Sequence, residues 1–442
     1  MFASLHNHTW ASNQRFLDSI NRPEEMVDRA IELGFSGIAF TDHEALSAAV
    51  DIIKIRDKIT KEHPDFKIIF GNEIYLIDES LLKTANKYYH FILLAKDIKG
   101  WEQLKTLSSR AWERGYVEKG IMRVPTTYQD IEEIVSSDPG HIFASTACLG
   151  GYLPSAILQH DVPGANSFIK WCLRAFGKDN FTLELQPSDT PEQIQVNQTL
   201  IKFSQHYNIP YIITTDSHYL NKNDFNIHSA FLNSRQSSDR ETEKFYRFTY
   251  MMSIEEMKDI LKESGLTAEQ AEQGFTNTVA VANMCKNFDF RHSTIVPRIT
   301  IPDFKLARSL PCEKFPFIQK YYDSQDEQDR YLMYQIEQGI SSKGVVLDEE
   351  KLDRINTELD VLSFLSERLN QSLSAYLNLT VKIINIAWEV SLVAPGRGSS
   401  TGFYINYLIG IVQVDPLKYG LKYWRFLNKE RVELPKTQHW AV

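Results

Sequence analysis

Cysteine is scarce in this chain: four in 442 residues, at positions 148, 172, 285 and 312, with no paired spacing. That excludes a disulfide framework. The opening MFASLHNHTW has no basic stretch followed by an apolar one, so no secretory leader is legible. Long hydrophobic runs are missing too. The uncharged stretch 398–414 is broken by Ser, Thr, Asn and Gly, and falls short of the ~20 apolar residues a membrane span needs. Positive charge is not in excess: 48 Lys and Arg stand against 57 Asp and Glu, a net charge of −9. Any nucleic-acid contact must therefore come from a local patch. These absences lead us to expect a reduced, cytoplasmic protein with no membrane partner. What remains is ordinary folded composition, 43% hydrophobic and 24% charged. The length implies two or three domains, at roughly 100–200 residues each.

Residues 1–220 alternate between short β-branched or aromatic runs and longer amphipathic ones. Seven runs read as strands: 3–6, 37–41, 67–73, 89–95, 141–145, 182–185 and 211–215. Helices are expected at 23–33, 45–61, 101–114, 128–135, 165–176 and 191–207. Pro23 and Pro191 suit a first helical turn, Asn21 and Thr190 are placed to cap, and Gly34 is a natural stop. Strand–helix alternation predicts parallel strands with right-handed crossovers, and seven repeats fit a barrel better than an open sheet. Beyond 220 the pattern changes. Residues 221–250 are polar and irregular, and 286–316 are Pro-rich, like a linker. Helices are expected at 253–261, 268–285, 351–369 and 375–390. The domain expectation is a barrel at 1–220, a largely helical connection at 221–285 and a further region at 286–442.

Metal-ligand chemistry recurs at the predicted strand ends. His6-Asn7-His8 is an H-x-H on a strand, where residues i and i+2 share a face. Asp42-His43 follows the second strand, Glu73 ends the third, Cys148 follows the fifth and Asp216-Ser217-His218 follows the seventh. The C-terminal ends of parallel barrel strands form the mouth where such folds keep their sites. Imidazole, carboxylate and one thiolate together suit Zn²⁺, Mn²⁺ or Fe²⁺. The set is too large for one tetrahedral ion. Several ions sharing carboxylates are expected, and such clusters hydrolyse phosphate esters.

The segments LHNHT, FTDHEAL, GNEIYL, HFILLAKD, ACLGGYLP and TTDSHYL, in this order, closely resemble the PHP (polymerase and histidinol phosphatase) domain of bacterial replicative DNA polymerase III alpha subunits. The resemblance implies a distorted seven-stranded βα, TIM-like barrel. It implies two or three divalent metals on nine positions: His6, His8, Asp18, His43, Glu73, His90, Cys148, Asp216 and His218. Of these, His8, Asp216 and His218 are expected to act most directly in catalysis. Asp18, in RFLDS, lies about three residues further from the H-x-H than that pattern has it, which requires a short insertion. His90 begins its strand, so it reaches the mouth only if that strand runs antiparallel or the barrel is distorted there.

Near the C-terminus stands Pro395-Gly396-Arg397-Gly398-Ser399-Ser400. Glycines let backbone N–H groups approach an anion, and arginine adds a bidentate phosphate partner. From Gly396 to Lys436 there are seven cations against three acids. PGRGSSTG, VDPLKYGL and RFLNKERVELP are similar to the palm segment of the same polymerases. That resemblance implies a mostly helical partial palm, with Gly396, Arg397, Gly398 and Ser399 near nucleotide phosphates. It makes Arg425 and Arg431 candidates for nucleotide or template contacts. In the family an Asp-x-Asp pair follows this segment's proline and binds two catalytic Mg²⁺ ions. Here Pro435 is followed by KTQHWAV.

The expectation is therefore the N-terminal part of a polymerase III alpha-type protein, from a bacterium or a phage. It would act on DNA by metal-dependent 3′–5′ phosphodiester hydrolysis. It would bind deoxynucleoside triphosphate phosphates but not polymerise alone. Mg²⁺ would serve polymerisation only if a partner chain supplied the missing carboxylates. A scaffold half of a split polymerase, and a stand-alone phosphatase on a small ester, are the alternatives.

Overall fold

The computed structural model describes residues 1–84, 88–118, 121–234, 246–293 and 295–430. The chain forms two compact units, Met1–Phe290 and Arg291–Val442.

The first unit is built on one curled sheet. Its strands are β1 (Ala3–Ser4), β2 (Gly37–Phe40), β3 (Lys67–Ile77), β4 (Tyr89–Ala95), β8 (Ile142–Ser145), β9 (Phe181–Leu185) and β10 (Tyr211–Ile213), hydrogen-bonded in that order. These are the seven expected strands. A small hairpin, β5 (Tyr116–Glu118) with β6 (Ile121–Arg123), stands apart, and β7 (Pro125–Thr127) pairs with the end of β3. The ends of the sheet meet beyond its strands. Asn7, after β1, bridges Ser217, after β10: His8 N donates to Ser217 O at 2.9 Å and Ser217 N to His6 O at 3.2 Å.

One strand departs from the expected parallel arrangement. β4 runs antiparallel to both β3 and β8, whereas the other neighbours in the order are parallel. The reason is local. A parallel return needs a crossover of a dozen or more residues, usually a helix. Between Ile77 and Tyr89 the described residues hold only a three-residue 3₁₀ turn.

Side chains alternate across the sheet as the strand period demands. Ile68, Phe70, Phe91, Leu93, Ile142, Ala144, Leu183 and Leu185 pack outward beneath the helices. Ala3, Ala39, Ile69, Ile92, Leu94, Phe143 and Ile212 point inward and form a separate core with Val281, Ala282 and Cys285. The helix Ala268–Met284 thus plugs the barrel floor, and Thr278 Oγ1 accepts from Ala3 N at 3.0 Å. Residues 254–284, which the sequence places in a connection, are part of this unit's core.

Several local readings change. Asn21 does not cap the helix Pro23–Glu32; its amide donates to the carbonyls of His8 and Ser217. Thr190 stands at the N-cap of Pro191–Tyr207 without a side-chain capping bond. Gly34 does stop its helix, at φ +72°. The polar stretch after 220 contains a helix, Phe225–Asn233.

The second unit is helical. Glu327–Ser342, Glu349–Leu369, Leu373–Val390 and the short Pro316–Tyr322 and Tyr404–Leu408 enclose Leu332, Ile336, Leu359, Leu362, Phe403 and Ile405. Pro316–Tyr322 and Glu327–Ser342 were not expected from the sequence. A Cβ on Gly339 would meet Leu408 O at 1.9 Å, so only glycine admits this helix crossing. Glu358, fully buried, accepts from Tyr404 N (2.7 Å), Ile405 N (2.8 Å) and Arg354 Nε (2.7 Å), tying the turn after the GRGSS segment to the bundle.

Candidate metal centre

The mouth of the barrel collects its polar side chains from loops whose backbone is itself held. Thr9 accepts from Ala11 N and starts the 3₁₀ helix Trp10–Gln14. Asp42 takes Thr9 N (2.6 Å), Thr9 Oγ1 (2.8 Å) and Ser12 Oγ (2.8 Å), pinning that turn to the end of β2. The turn absorbs the extra residues and returns Asp18 to the mouth. Inward parity from Ile212 on β10 continues through Thr214 to Asp216, whose φ of +48° turns the chain there. The same parity puts His90 inside with Ile92 and Leu94. Because β4 is antiparallel, His90 pairs opposite Tyr75 and lies at the mouth.

Three groups of donor atoms result: His8, Asp18, His43 and His218; His6, His8 and Asp216; and His43, Glu73 and His90. Asp18 Oδ2 lies 2.7 Å from His43 Nε2 and 3.0 Å from His218 Nε2. Asp216 Oδ1 is 3.1 Å from His6 Nε2 and 3.0 Å from His8 Nε2. Glu73 meets His43 Nδ1 at 2.6 Å through Oε2 and His90 Nδ1 at 2.9 Å through Oε1. Eight of the nine expected positions fall in these groups. The ninth, Cys148, adjoins them, its sulfur 3.4 Å from His90 Nδ1 and 4.0 Å from Glu73 Oε1.

A second layer sets the tautomers. His6 Nδ1 faces Glu184 Oε1 at 2.6 Å, so its proton sits there and Nε2 presents a lone pair. His8 Nδ1 faces Ser12 Oγ at 3.1 Å; that hydroxyl already donates to Asp42, so it accepts from His8. His218 Nδ1 faces the carbonyl of Asp216 at 2.7 Å. All three rings thereby turn Nε2 inward. Glu184, His228 and Tyr246 are supporting residues that sequence reasoning did not single out. Glu184 also accepts from Thr214 Oγ1 (2.6 Å), His228 Nε2 contacts Asp18 O (2.6 Å), and Tyr246 donates to Asp18 Oδ1 (3.0 Å). Glu184 was legible as the inward residue between outward Leu183 and Leu185.

The electrostatics are those of a donor cage. Burial and the neighbouring His43 and His218 push His8 down to about 3. Burial also opposes charge on His43, but Glu73 and Asp18 outweigh it and hold that ring up at about 10. Burial would raise Glu73, yet His90, His43 and His6 hold its carboxyl well below the usual range. Burial, then Asp216 and Glu73, push the Cys148 thiol up. Glu73 Oε2 and Asp216 Oδ1 are buried with no hydrogen-bond donor and lie against imidazole nitrogens. Three carboxylates, five imidazoles and a thiol offering lone pairs to shared points fit divalent cations in chemistry and in spacing. A cavity of about 770 Å³ opens over the cluster, walled by Arg15, Tyr75, Tyr88, Gln186 and Phe248 among others.

The other expected site is of a different kind. Gly396 and Gly398 have φ +153° and +73°, and Gly398 opens a 3₁₀ turn, Gly398–Gly402. Arg397, Ser399 and Arg425 are exposed. Arg431 lies outside the described residues.

Comparison with known proteins agrees over both units. Residues 4–188 match the PHP domain, and residues 330–437 match the bacterial DNA polymerase III alpha NTPase domain. A DNA-directed DNA polymerase of Bacillus phage SPbeta is 38% identical over 97% of this chain and 36% of its own length. The DNA polymerase III subunit alpha of Thermus aquaticus is 28% identical over 98% of this chain and 37% of its own. That of Borreliella burgdorferi is 28% identical over 98% and 34%. The chain thus spans about a third of the length of these relatives. With both matches in one chain, the protein is similar over nearly its whole length to the part of DNA polymerase III alpha-type proteins that pairs a PHP domain with the polymerase III alpha NTPase domain.

Proposed function

We propose that the first unit is a metal-dependent phosphodiesterase acting at the 3′ end of DNA in a bacterial or phage-infected cytoplasm. The nine residues His6, His8, Asp18, His43, Glu73, His90, Cys148, Asp216 and His218 would hold two or three Zn²⁺ or Mn²⁺ ions, or Fe²⁺. Such ions supply Lewis-acid polarisation of a phosphoryl oxygen when bound. The carrying observation is the convergence of three donor groups under one open cavity. The chain's own part is orientation. Glu184, Ser12 and the Asp216 carbonyl aim the Nε2 lone pairs of His6, His8 and His218 before any ion arrives. His8 Nε2 lies 3.0 Å from Asp216 Oδ1, and His218 Nε2 lies 3.0 Å from Asp18 Oδ2.

In the second unit, Gly396, Arg397, Gly398 and Ser399 would receive nucleotide phosphates, with Arg425 and Arg431 on nucleotide or template. Polymerisation by these 442 residues alone is not part of the proposal. After Ser399 the only acids are Asp415, Glu430 and Glu433. The test is release of 3′-labelled nucleotides from single-stranded DNA by metal-reconstituted protein, with bound metal counted by elemental analysis. Release with two or three ions per chain supports the reading. Less than one ion per chain after Zn²⁺ or Mn²⁺ loading sinks it.

One observation favours a second reading, a scaffold half that takes a partner chain carrying the Asp-x-Asp. At the end of Leu373–Val390, Ile383, Ile386, Trp388, Val390 and Leu392 are exposed, the last at 93%. Apolar surface of this kind is what partners cover. Primer extension that appears only on adding such a chain, with no nuclease activity in either, would favour it.

A further inference from the structure

The residues that separate the H-x-H from Asp18 carry Arg15 and Phe16, and both line the cavity over the candidate metal centre. Arg15 is only 8% exposed. One Nη donates to the Tyr75 hydroxyl at 2.6 Å, and the guanidinium carbon lies 3.8 Å from the Tyr75 ring centroid and 4.7 Å from that of Phe16. Its other Nη stands 3.5 Å from Glu44 Oε2, a weak contact, and its Nε has no hydrogen-bond partner. A guanidinium has five N–H donors, and here the Nε–H is buried and open. Burying a cation with open donors is costly unless an anion completes it. The Tyr75 hydroxyl is in turn 3.3 Å from His43 Nδ1, so this cation stands one side chain away from the donor cluster.

Phe248, half-buried, lines the same cavity, and so does Arg123, which lies 5.6 Å from the ring centroid of the buried Tyr88. Planar guanidinium suits phosphate oxygens in pairs, and aromatic rings take bases by stacking without regard to sequence.

We propose that Arg15, with the rings of Phe16 and Phe248, forms a subsite for one nucleoside monophosphate unit of a DNA strand. The guanidinium holds the phosphate and the rings hold the base. Arg15 is a positioning residue: it places the strand and touches no metal ligand. This rests on the phosphodiesterase reading and narrows it to nucleotide substrates, because a small ester would leave the aromatic wall unused.

The test uses the full chain, loaded with Mn²⁺, titrated calorimetrically with dAMP, inorganic phosphate and deoxyadenosine. The wild type should bind dAMP about tenfold or more tighter than either part alone. R15Q should lose about tenfold in dAMP affinity, and R15K should recover part of it. On 3′-labelled single-stranded DNA, R15Q should raise KM far more than it lowers kcat. Equal affinity for dAMP and phosphate in the wild type overturns the subsite, even if R15Q fails to fold. So does unchanged dAMP binding by folded R15Q. Hydrolysis of bis(p-nitrophenyl) phosphate by the wild type reads the metal centre separately. If neither that ester nor DNA is cleaved, the phosphodiesterase reading falls, and the dAMP titration still decides the subsite.

Discussion

The barrel mouth and the GRGSS loop both bear chemistry suited to phosphate, and they are built in opposite ways. At the mouth nearly every functional atom is buried, and its orientation is set by a second residue: Glu184 behind His6, Ser12 behind His8, Tyr246 beside Asp18. In the loop Arg397 and Ser399 are exposed, and only the backbone is shaped. On the function proposed above, the difference follows from the ligand. A cluster of like-charged carboxylates is stable only when cations or protons sit among them, so each donor must be held where an ion can reach it. A phosphate already solvated by water needs only open N–H groups and a chain bend that glycine permits. Single substitutions should therefore matter greatly at the mouth and little in the loop.

The largest effect is expected at the shared donors. His8 belongs to two of the three groups, and Asp216 Oδ1 lies between two imidazoles. His8→Ala or Asp216→Ala should cut 3′-end hydrolysis by about 10³-fold or more, with loss of bound metal and an unchanged far-UV circular dichroism spectrum. Wild-type rates in both variants would move the activity out of the barrel.

Next in size is a pH effect that contrasts the two units' buried carboxylates. In the barrel, imidazoles hold Glu73 ionised. In the second unit burial raises Glu358 to about 7, against the backbone donors of Ile405 and Tyr404 and the side chain of Arg354. A carboxyl raised in the folded state stabilises fully below its unfolded value of 4.5, and loses that contribution as pH rises through about 7. The swing is at most about 3 kcal/mol. Denaturant unfolding of the second unit should show a lower midpoint at pH 8 than at pH 5, and Glu358→Gln should flatten the difference. A midpoint that rises with pH would contradict the assignment.

The barrel was the more legible of the two units, for physical reasons. Its strands are short β-branched runs buried on both faces, which stand out against the amphipathic helices between them. His90 at the start of its strand and the lack of a helical stretch between 77 and 89 together foreshadow the reversed β4. Supporting residues were harder to see. Glu184 is one acid inside an apolar strand, and only the alternation with Leu183 and Leu185 marks it as inward. Asn21 has cap chemistry but spends it on the carbonyls of His8 and Ser217, a tertiary use that no local pattern announces. The helices Pro316–Tyr322 and Glu327–Ser342 follow a proline-rich stretch that masks them. Their signals were Pro316 at a first turn, Asp326 as a cap and the spacing of Leu332, Met333 and Ile336.

Glu184 gives the third prediction, because it tests whether the second layer is as necessary as the first. Its carboxylate holds one imidazole and contacts no other group of the donor set. Glu184→Gln keeps the size but weakens the hold on His6 Nδ1–H. Metal affinity should fall about 10–100-fold, the usual cost of removing such a support, and activity should recover in excess Mn²⁺. Loss that excess metal does not repair would show that Glu184 shapes the barrel itself.

The smallest effects belong to the loop. Arg397 is exposed and, among the described residues, held by no ion pair, so a phosphate bound there stays partly in water, where a charge contact is worth little. Arg397→Ala should weaken deoxynucleoside triphosphate binding only a few-fold, about 1 kcal/mol or less. Primer extension by the 442 residues should be nil with any metal. Transition-state charge on a transferring phosphoryl group needs ions held by carboxylates, and each ~1.4 kcal/mol of missing stabilisation is tenfold in rate. The same assay should respond if the loop is sound. A second chain that opens with the Asp-x-Asp pair would restore extension, and Arg397→Ala would then lower it by the few-fold seen in binding. Template-dependent extension without that chain would mean the loop is not the minor site that its exposure implies.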